Sequence, residues 1–135
     1  MWEHFAHQAD IGIRATADSL SSAFEDAAIA LTAIVTKPKK VEAKESVNID
    51  CSGKNEELLF VNWLNAVIYE MVVRKMLFSK FDVSIENLKL SAKIWGEKIN
   101  QEKHSPAVEP KAVTYNQLSV TEENGKWLAQ CVVDV

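Results

Sequence analysis

A few polar side chains stand where packing does not demand them. They are His7 and Asp10 near the start, His104 and Lys111 in a long connecting segment, and Asp134 next to Val135 at the end. The Asp134 side chain and the terminal carboxylate of Val135 lie one residue apart, and held at a strand end they would offer hard oxygen ligands for Ca²⁺, Mg²⁺ or Mn²⁺. The competing reading is a frayed, solvated terminus. His7 and Asp10 are three apart, so an ideal strand points them to opposite faces, and both can serve one site only if the chain bends between them. His4-x-x-His7-x-x-Asp10 has the look of a transition-metal run, but it lacks the helical i, i+4 placement of metallopeptidase ligands and any second cluster. A surface or core histidine is the alternative for each.

Other chemistries find less support. The glycines at 12, 53, 96 and 125 are too scattered for a dinucleotide fingerprint or a phosphate loop. No serine or cysteine sits in a nucleophile elbow, and no residue pairing offers a general base beside a nucleophile, so the chain is not expected to be an enzyme. Cys51 and Cys131 are neither CxxC-paired nor ligand-spaced, which speaks against a disulfide framework or a structural zinc, and both fall on apolar strand faces as inert core thiols. Fifteen basic against nineteen acidic residues give a formal charge of −4. Nucleic-acid phosphates repel such a molecule, and Lys37-Pro38-Lys39-Lys40 is too short a basic run to reverse that, so direct nucleic-acid binding is not expected. No apolar run approaches the roughly 20 residues of a membrane span. With no basic start followed by an apolar stretch, the expectation is a cytoplasmic protein without a membrane role.

Length and composition suit a single domain over residues 1–135: apolar types make up 47% and charged types 25%, enough for one real core. Residues 11–17 alternate as a half-buried strand does. Leu20, Ala23, Phe24, Ala27, Ala28, Leu31, Ile34 and Val35 then form a helical stripe, capped by Asp18 or Ser19 and closed by Pro38. Alternation returns over 41–51. Residues 58–73 are almost continuously apolar and too long for a strand, so they read as a central helix with Asn62, Asn65 and Tyr69 on one polar stripe and the asparagines in structural roles. Strands at 81–85 and 88–94 join through Glu86-Asn87, residues 96–111 read as a loop, and strands at 113–120 and 127–133 flank an Asn124-Gly125 turn. Strand, helix, strand, helix and then a run of strands predict an α+β fold, mostly antiparallel, with two helices packed together on one face of the sheet.

Several blocks of the sequence resemble the archease family. His7-Gln8-Ala9-Asp10-Ile11-Gly12-Ile13-Arg14-Ala15, with Leu20-Ser21-Ser22-Ala23-Phe24, is similar to that family's opening. Val61-Asn62-Trp63-Leu64-Asn65 resembles its central helix, Lys111-Ala112-Val113-Thr114-Tyr115 its "KAVTY" loop, and Val132-Val133-Asp134-Val135 its C-terminal "FDV". The resemblance implies a strand-helix-strand-strand module with an inserted segment. It also implies a protein cofactor for an RtcB-type RNA ligase in tRNA splicing, one that promotes guanylylation and multiple turnover of the ligase. Carried over, Asp10, Asp134 and the carboxylate of Val135 would hold a divalent metal (Ca, Mg or Mn), with His7, His104 and Lys111 as further functional residues. The chain departs from the family at Lys37, where an acidic residue is usual, at Asn116, and at Ala6 and Gln8. Two rival functions remain: a chaperone-like modulator of a nucleic-acid methyltransferase, and a small metal-dependent hydrolase.

Overall fold

The computed structural model describes residues 1–135. The chain runs β1 (Trp2–His7), β2 (Asp10–Ala17), α1 (Leu20–Val35), a single 3₁₀ turn at Pro38–Lys40, β3 (Glu45–Ser52), α2 (Glu56–Arg74), β4 (Met76–Glu86), β5 (Lys89–Lys98), α3 (Gln101–His104), β6 (Ala112–Glu123) and β7 (Lys126–Asp134).

Both long helices form where the apolar spacing places them, and for the expected local reasons. Ser19 stands extended before α1 and its hydroxyl accepts the Ser22 N–H at 3.0 Å. Asp18 takes no part in the cap and pairs with Lys126. Asn55 caps α2 by accepting from Leu58 N–H at 2.9 Å, while Glu56 and Glu57 lie in the first turn, where the helix dipole favours negative charge. Phe24 and Trp63 are wholly buried, and the Trp63 indole donates to the Phe24 carbonyl at 3.0 Å, fastening α2 to α1.

The α+β class holds, and every strand pair is antiparallel. The strands divide between a four-stranded sheet, in the order β1-β2-β7-β6, and a three-stranded sheet, β3-β5-β4. Each helix touches both sheets: α1 packs on β2 and β4, α2 on β6 and β3. In the four-stranded sheet Ile13, Ala15, Ala129, Cys131 and Val133 face the helices and join one continuous core. The alternate residues, Glu3, Phe5, Arg14 and Gln130 among them, face away from the helices.

Differences from the sequence reading have local causes. β1 shows no clean alternation because aromatic and polar residues occupy both of its faces. β4 begins at Met76, five residues ahead of the expected 81, since Met76, Leu77 and Phe78 are all buried and a register shift between Phe78 and Lys80 interrupts the period of two. Phe78 carbonyl, freed by that shift, accepts from Thr32 Oγ1 of α1 at 2.6 Å. The β4–β5 turn falls at Asn87-Leu88, one residue late, with φ of 53° and 60°. Asn124-Gly125 turns β6 into β7 as its type predicts, with φ of 54° and 77°. The segment expected to be a loop from 96 to 111 contains the end of β5 and the four-residue helix α3.

Candidate functional site

Strand pairing assembles a row of polar side chains at one end of the four-stranded sheet. His7 pairs with Asp10 across a two-residue turn in which Gln8 takes a positive φ of 56°. This is the bend that lets both side chains reach one face, since directly paired residues project the same way. β2 pairs with β7 through Ile11–Val133 and Gly12–Val132. That register, continued by one residue, sets Asp10 opposite Asp134. Asp134 in turn pairs with Ala112 of β6, and its carbonyl accepts the Lys111 N–H at 2.8 Å. His7, Asp10 and Asp134 therefore stand side by side on adjacent strands, with neighbouring Cβ atoms about 5 Å apart. All three are half-buried and face away from the helices.

The electrostatics of this row are incomplete. No basic side chain pairs with either carboxylate. His7 Nδ1 is buried without a hydrogen-bond partner, and it is the one such side-chain atom in the molecule. Lys111 is exposed next to the row, and Lys37, exposed after α1, makes no ion pair. No group of three or more His, Cys, Asp or Glu side chains is arranged to enclose a metal ion. The pair Asp10 and Asp134 can supply up to four oxygens, an open half of the six to eight that Ca²⁺ takes. Val135 follows Asp134 directly, and its side chain packs against the core.

Deeper on the sheet face, the row rests on Phe5, whose ring covers Gly12. A Cβ at position 12 would collide with that ring, so only glycine lets Phe5 lie flat there. Phe5 is roofed by the Arg14 guanidinium at 4.8 Å, and Arg14 is held by Glu3 at 2.6 Å and Gln130 at 3.0 Å. The Phe5–Arg14 stack was not singled out from sequence, although Phe5 at i−2 from His7 on the same face was available as a signal.

His104 lies in a different network. It is 1% exposed at the end of α3, where its Nδ1 accepts the Asn100 N–H at 2.9 Å and its Nε2 donates to Glu97 at 3.0 Å. Its carbonyl accepts from Thr36 Oγ1 at 2.5 Å. Glu97, 6% exposed, also accepts from Glu42 N–H and pairs with Lys103 at 2.8 Å. Burial pushes the Glu97 carboxyl up, but hydrogen bonds from Lys103, the Glu42 N–H and His104 outweigh it and hold the group at about 2. Every polar atom of His104 is paired with a residue outside the four-stranded sheet, so the structure does not bring it to the Asp10–Asp134 row. Sequence reasoning missed Glu97 altogether, because a buried carboxylate carries no mark in the pattern.

The remaining candidates are structural. Asn65 Oδ1 accepts the Val113 N–H at 2.9 Å, satisfying the outer edge of β6, and Asn62 donates to Ser52 carbonyl at 2.7 Å. Burial raises the thiols of Cys51 to about 11 and of Cys131 to about 12, so neither is a nucleophile at neutral pH. No helix is long and apolar enough to cross a membrane.

Residues 2–135 match the archease protein family. Protein archease of Pyrococcus abyssi is 41% identical over 139 residues, a match covering 99% of this chain and 98% of that one. Protein archease of Sulfurisphaera tokodaii is 38% identical over 136 residues, with the same coverage. The solution structure of a Methanobacterium thermoautotrophicum protein superposes with a TM-score of 0.86 at 30% identity, over 99% of this chain and 98% of its own. A Thermotoga maritima crystal structure, described as an archease and possible chaperone, shares the fold at a TM-score of 0.67 and 17% identity, over 98% and 96% of the two chains.

Proposed function

The chain belongs to the archease family, and from that premise we propose that it is a non-enzymatic, cytoplasmic protein cofactor that activates an RtcB-type RNA ligase in tRNA splicing. Its contribution is to promote guanylylation and multiple turnover of the ligase. The observation that supports this reading is the row of His7, Asp10 and Asp134. Two carboxylates on neighbouring strands repel each other until a cation or a basic partner group comes between them. A row left open in this way suits a task completed by a second molecule better than one completed inside the chain.

Asp10 and Asp134 would hold a divalent cation only as a partial shell, with the carboxylate of Val135 as the further ligand that the family resemblance implies and the remaining ligands supplied from outside the chain. A bound ion would supply positive charge for phosphate oxygens at the ligase active site. The chain's own groups do the placing. The β2–β7 ladder fixes the spacing of the two carboxylates, and the Lys111 N–H bond to the Asp134 carbonyl holds the β7 end against the start of β6. Lys111, exposed and unpaired, can meet a phosphate or a partner carboxylate there. His7 Nδ1 is the one buried side-chain polar atom left without a hydrogen-bond partner.

The test is a guanylylation and ligation assay with the cognate ligase, GTP and Mn²⁺, with and without this protein. Wild type should raise guanylylation and convert single turnover to multiple turnover. Asp134→Ala should lose most of that gain while keeping its circular-dichroism spectrum and unfolding midpoint. If Asp134→Ala stimulates as well as wild type does, the row is not the working surface. The Thermotoga relative's description as a possible chaperone favours a second reading. Recovery of a nucleic-acid methyltransferase and no ligase from a native pull-down would replace the first with it.

A further inference from the structure

Lys37-Pro38-Lys39-Lys40 is too short to grip a nucleic acid, but folding gives the run neighbours that lie far off in sequence. It winds into a single 3₁₀ turn, closed by the Lys40 N–H on the Lys37 carbonyl at 2.9 Å and the Val41 N–H on the Pro38 carbonyl at 3.0 Å. Lys37 and Lys40 thereby border an open pocket of about 540 Å³, whose other walls are the end of α1, Trp2 and His4 of β1, and part of the segment 104–107. These walls are tied to one another. His4 Nε2 donates to the Ala30 carbonyl of α1 at 2.8 Å, Thr36 Oγ1 to the His104 carbonyl, and the Ala107 N–H to the Val35 carbonyl at 2.8 Å.

The lining sets the sign of an occupant. No Asp or Glu lines the pocket, and its permanently charged side chains are Lys37 and Lys40, both exposed and neither in an ion pair. In a chain of net charge −4 this is a local excess of cations with no acid opposing it. A helix end also attracts cations, but at the end of α1 the Thr32 carbonyl is bonded to the Thr36 N–H and the Val35 carbonyl to the Ala107 N–H, so neither draws on the lysines. The aromatic wall narrows the class. Trp2 is half-buried and its ring lies against the His4 imidazole, 5.1 Å between centroids and tilted by 44°. The Ala30 carbonyl only accepts, which fixes the hydrogen on His4 Nε2 and leaves Nδ1 to meet a ligand. Flat rings beside free cations are how proteins hold a base together with its phosphate, and the volume suits a molecule of nucleotide size. The net negative charge of the chain repels a long polyanion, whereas a single nucleotide keeps its few charges beside the lysines.

We propose that this pocket binds a free nucleotide, with the phosphate between Lys37 and Lys40 and the base against Trp2 and His4. The site lies on the helix side of β1, the face opposite His7, and is separate from the Asp10–Asp134 row. It goes beyond the activator reading and does not depend on it.

Isothermal titration of the purified protein with AMP, adenosine and inorganic phosphate in turn tests it without any partner, so failure here leaves the activator reading untouched. AMP serves as the probe because stacking is tolerant of base identity. It should bind at least about tenfold more tightly than adenosine or phosphate. Lys37→Glu and Lys40→Glu should each raise the AMP Kd about tenfold or more, whereas Lys39→Glu, exposed but outside the lining, should stay within about threefold of wild type. Trp2→Ala should bring the AMP Kd close to that of phosphate; circular dichroism checks its fold, and the surface lysine variants decide the matter if it does not fold. Absence of AMP binding by wild type would overturn the proposal. Equal weakening by Lys39→Glu would overturn the pocket in favour of diffuse attraction, and equal affinity for AMP and phosphate would overturn the nucleotide in favour of a bare oxyanion. Tighter binding of a single-stranded oligonucleotide than of AMP, lost in Lys37→Glu, would overturn it in favour of RNA.

Discussion

Around His104 each polar atom has a partner, whereas around His7 an imidazole nitrogen is buried alone beside two carboxylates that no cation neutralises. The residue types are nearly the same, one histidine among acidic groups, and the outcomes are opposite. Near His104, three elements converge: β5 brings Glu97, α3 brings Lys103 and His104, and the segment after α1 brings Thr36 and Glu42. A closed network of that kind fixes geometry and has nothing left to offer another molecule. Near His7, adjacent strands supply the side chains, and the one loop residue that arrives, Lys111, bonds the Asp134 carbonyl and leaves both carboxylates without an ion pair. Unsatisfied polarity at a sheet end is what a binding or catalytic task uses, and closed polarity is what a fold uses.

The difference can be broken or sharpened by experiment, starting with the larger effect. Glu97→Ala strips partners from His104, Lys103 and the Glu42 N–H at once, and should lower the unfolding free energy by about 3 to 4 kcal/mol in urea. If that loss is under about 1 kcal/mol, the closed network is not what holds the segment 99–111 in place.

Acid should act on the same cluster. Glu97 is held at about 2 in the folded chain against an ordinary 4.5. A depressed folded value means that the unfolded state binds the proton first, so the stabilisation is full above about pH 4.5 and drains away as pH falls towards 2. The loss should be about 2 to 3 kcal/mol. Glu97→Gln should flatten that part of the stability profile, and an unflattened profile would put the acid sensitivity elsewhere.

The smallest effects belong to the open row. Asp10→Asn and Asp134→Asn should each change stability by less than about 1 kcal/mol, in the stabilising direction where divalent ions are absent, because like charges on paired strands are relieved. Adding Ca²⁺ or Mn²⁺ should raise the unfolding midpoint of wild type and leave those of the two variants still, since a ligand that binds only the folded chain stabilises it by mass action. A midpoint indifferent to both ions in wild type would remove the metal from the proposed function.

How much of this was legible beforehand depended on what a single strand or helix can reveal. α1 could be read from Leu20 to Val35, with its cap narrowed to Asp18 or Ser19, because stripe and cap are local properties, and Asn124-Gly125 announced its turn for the same reason. The division into two sheets was not legible, because strand partners are chosen across the whole chain. Position 7 illustrates the limit: spacing alone left His7 and Asp10 on opposite faces, and only the turn at Gln8 reverses that. His104 was equally conspicuous in sequence and turned out to be interior, because its partner Glu97 sits in a strand whose alternation conceals a charge as easily as it conceals a leucine.

Pairing of β2 with β7 joins residues near the two ends of the sequence, Ile11 with Val133, in the middle of the four-stranded sheet. Contacts so distant along the chain are among the slowest to form, since closing a loop of that length costs entropy before the ladder repays it. β1 and β2 can form a hairpin early, but the Asp10–Asp134 row does not exist until β7 has inserted between β2 and β6. A partner that recognises this row therefore recognises a chain that has finished folding, and partially folded copies present it with a lone Asp10.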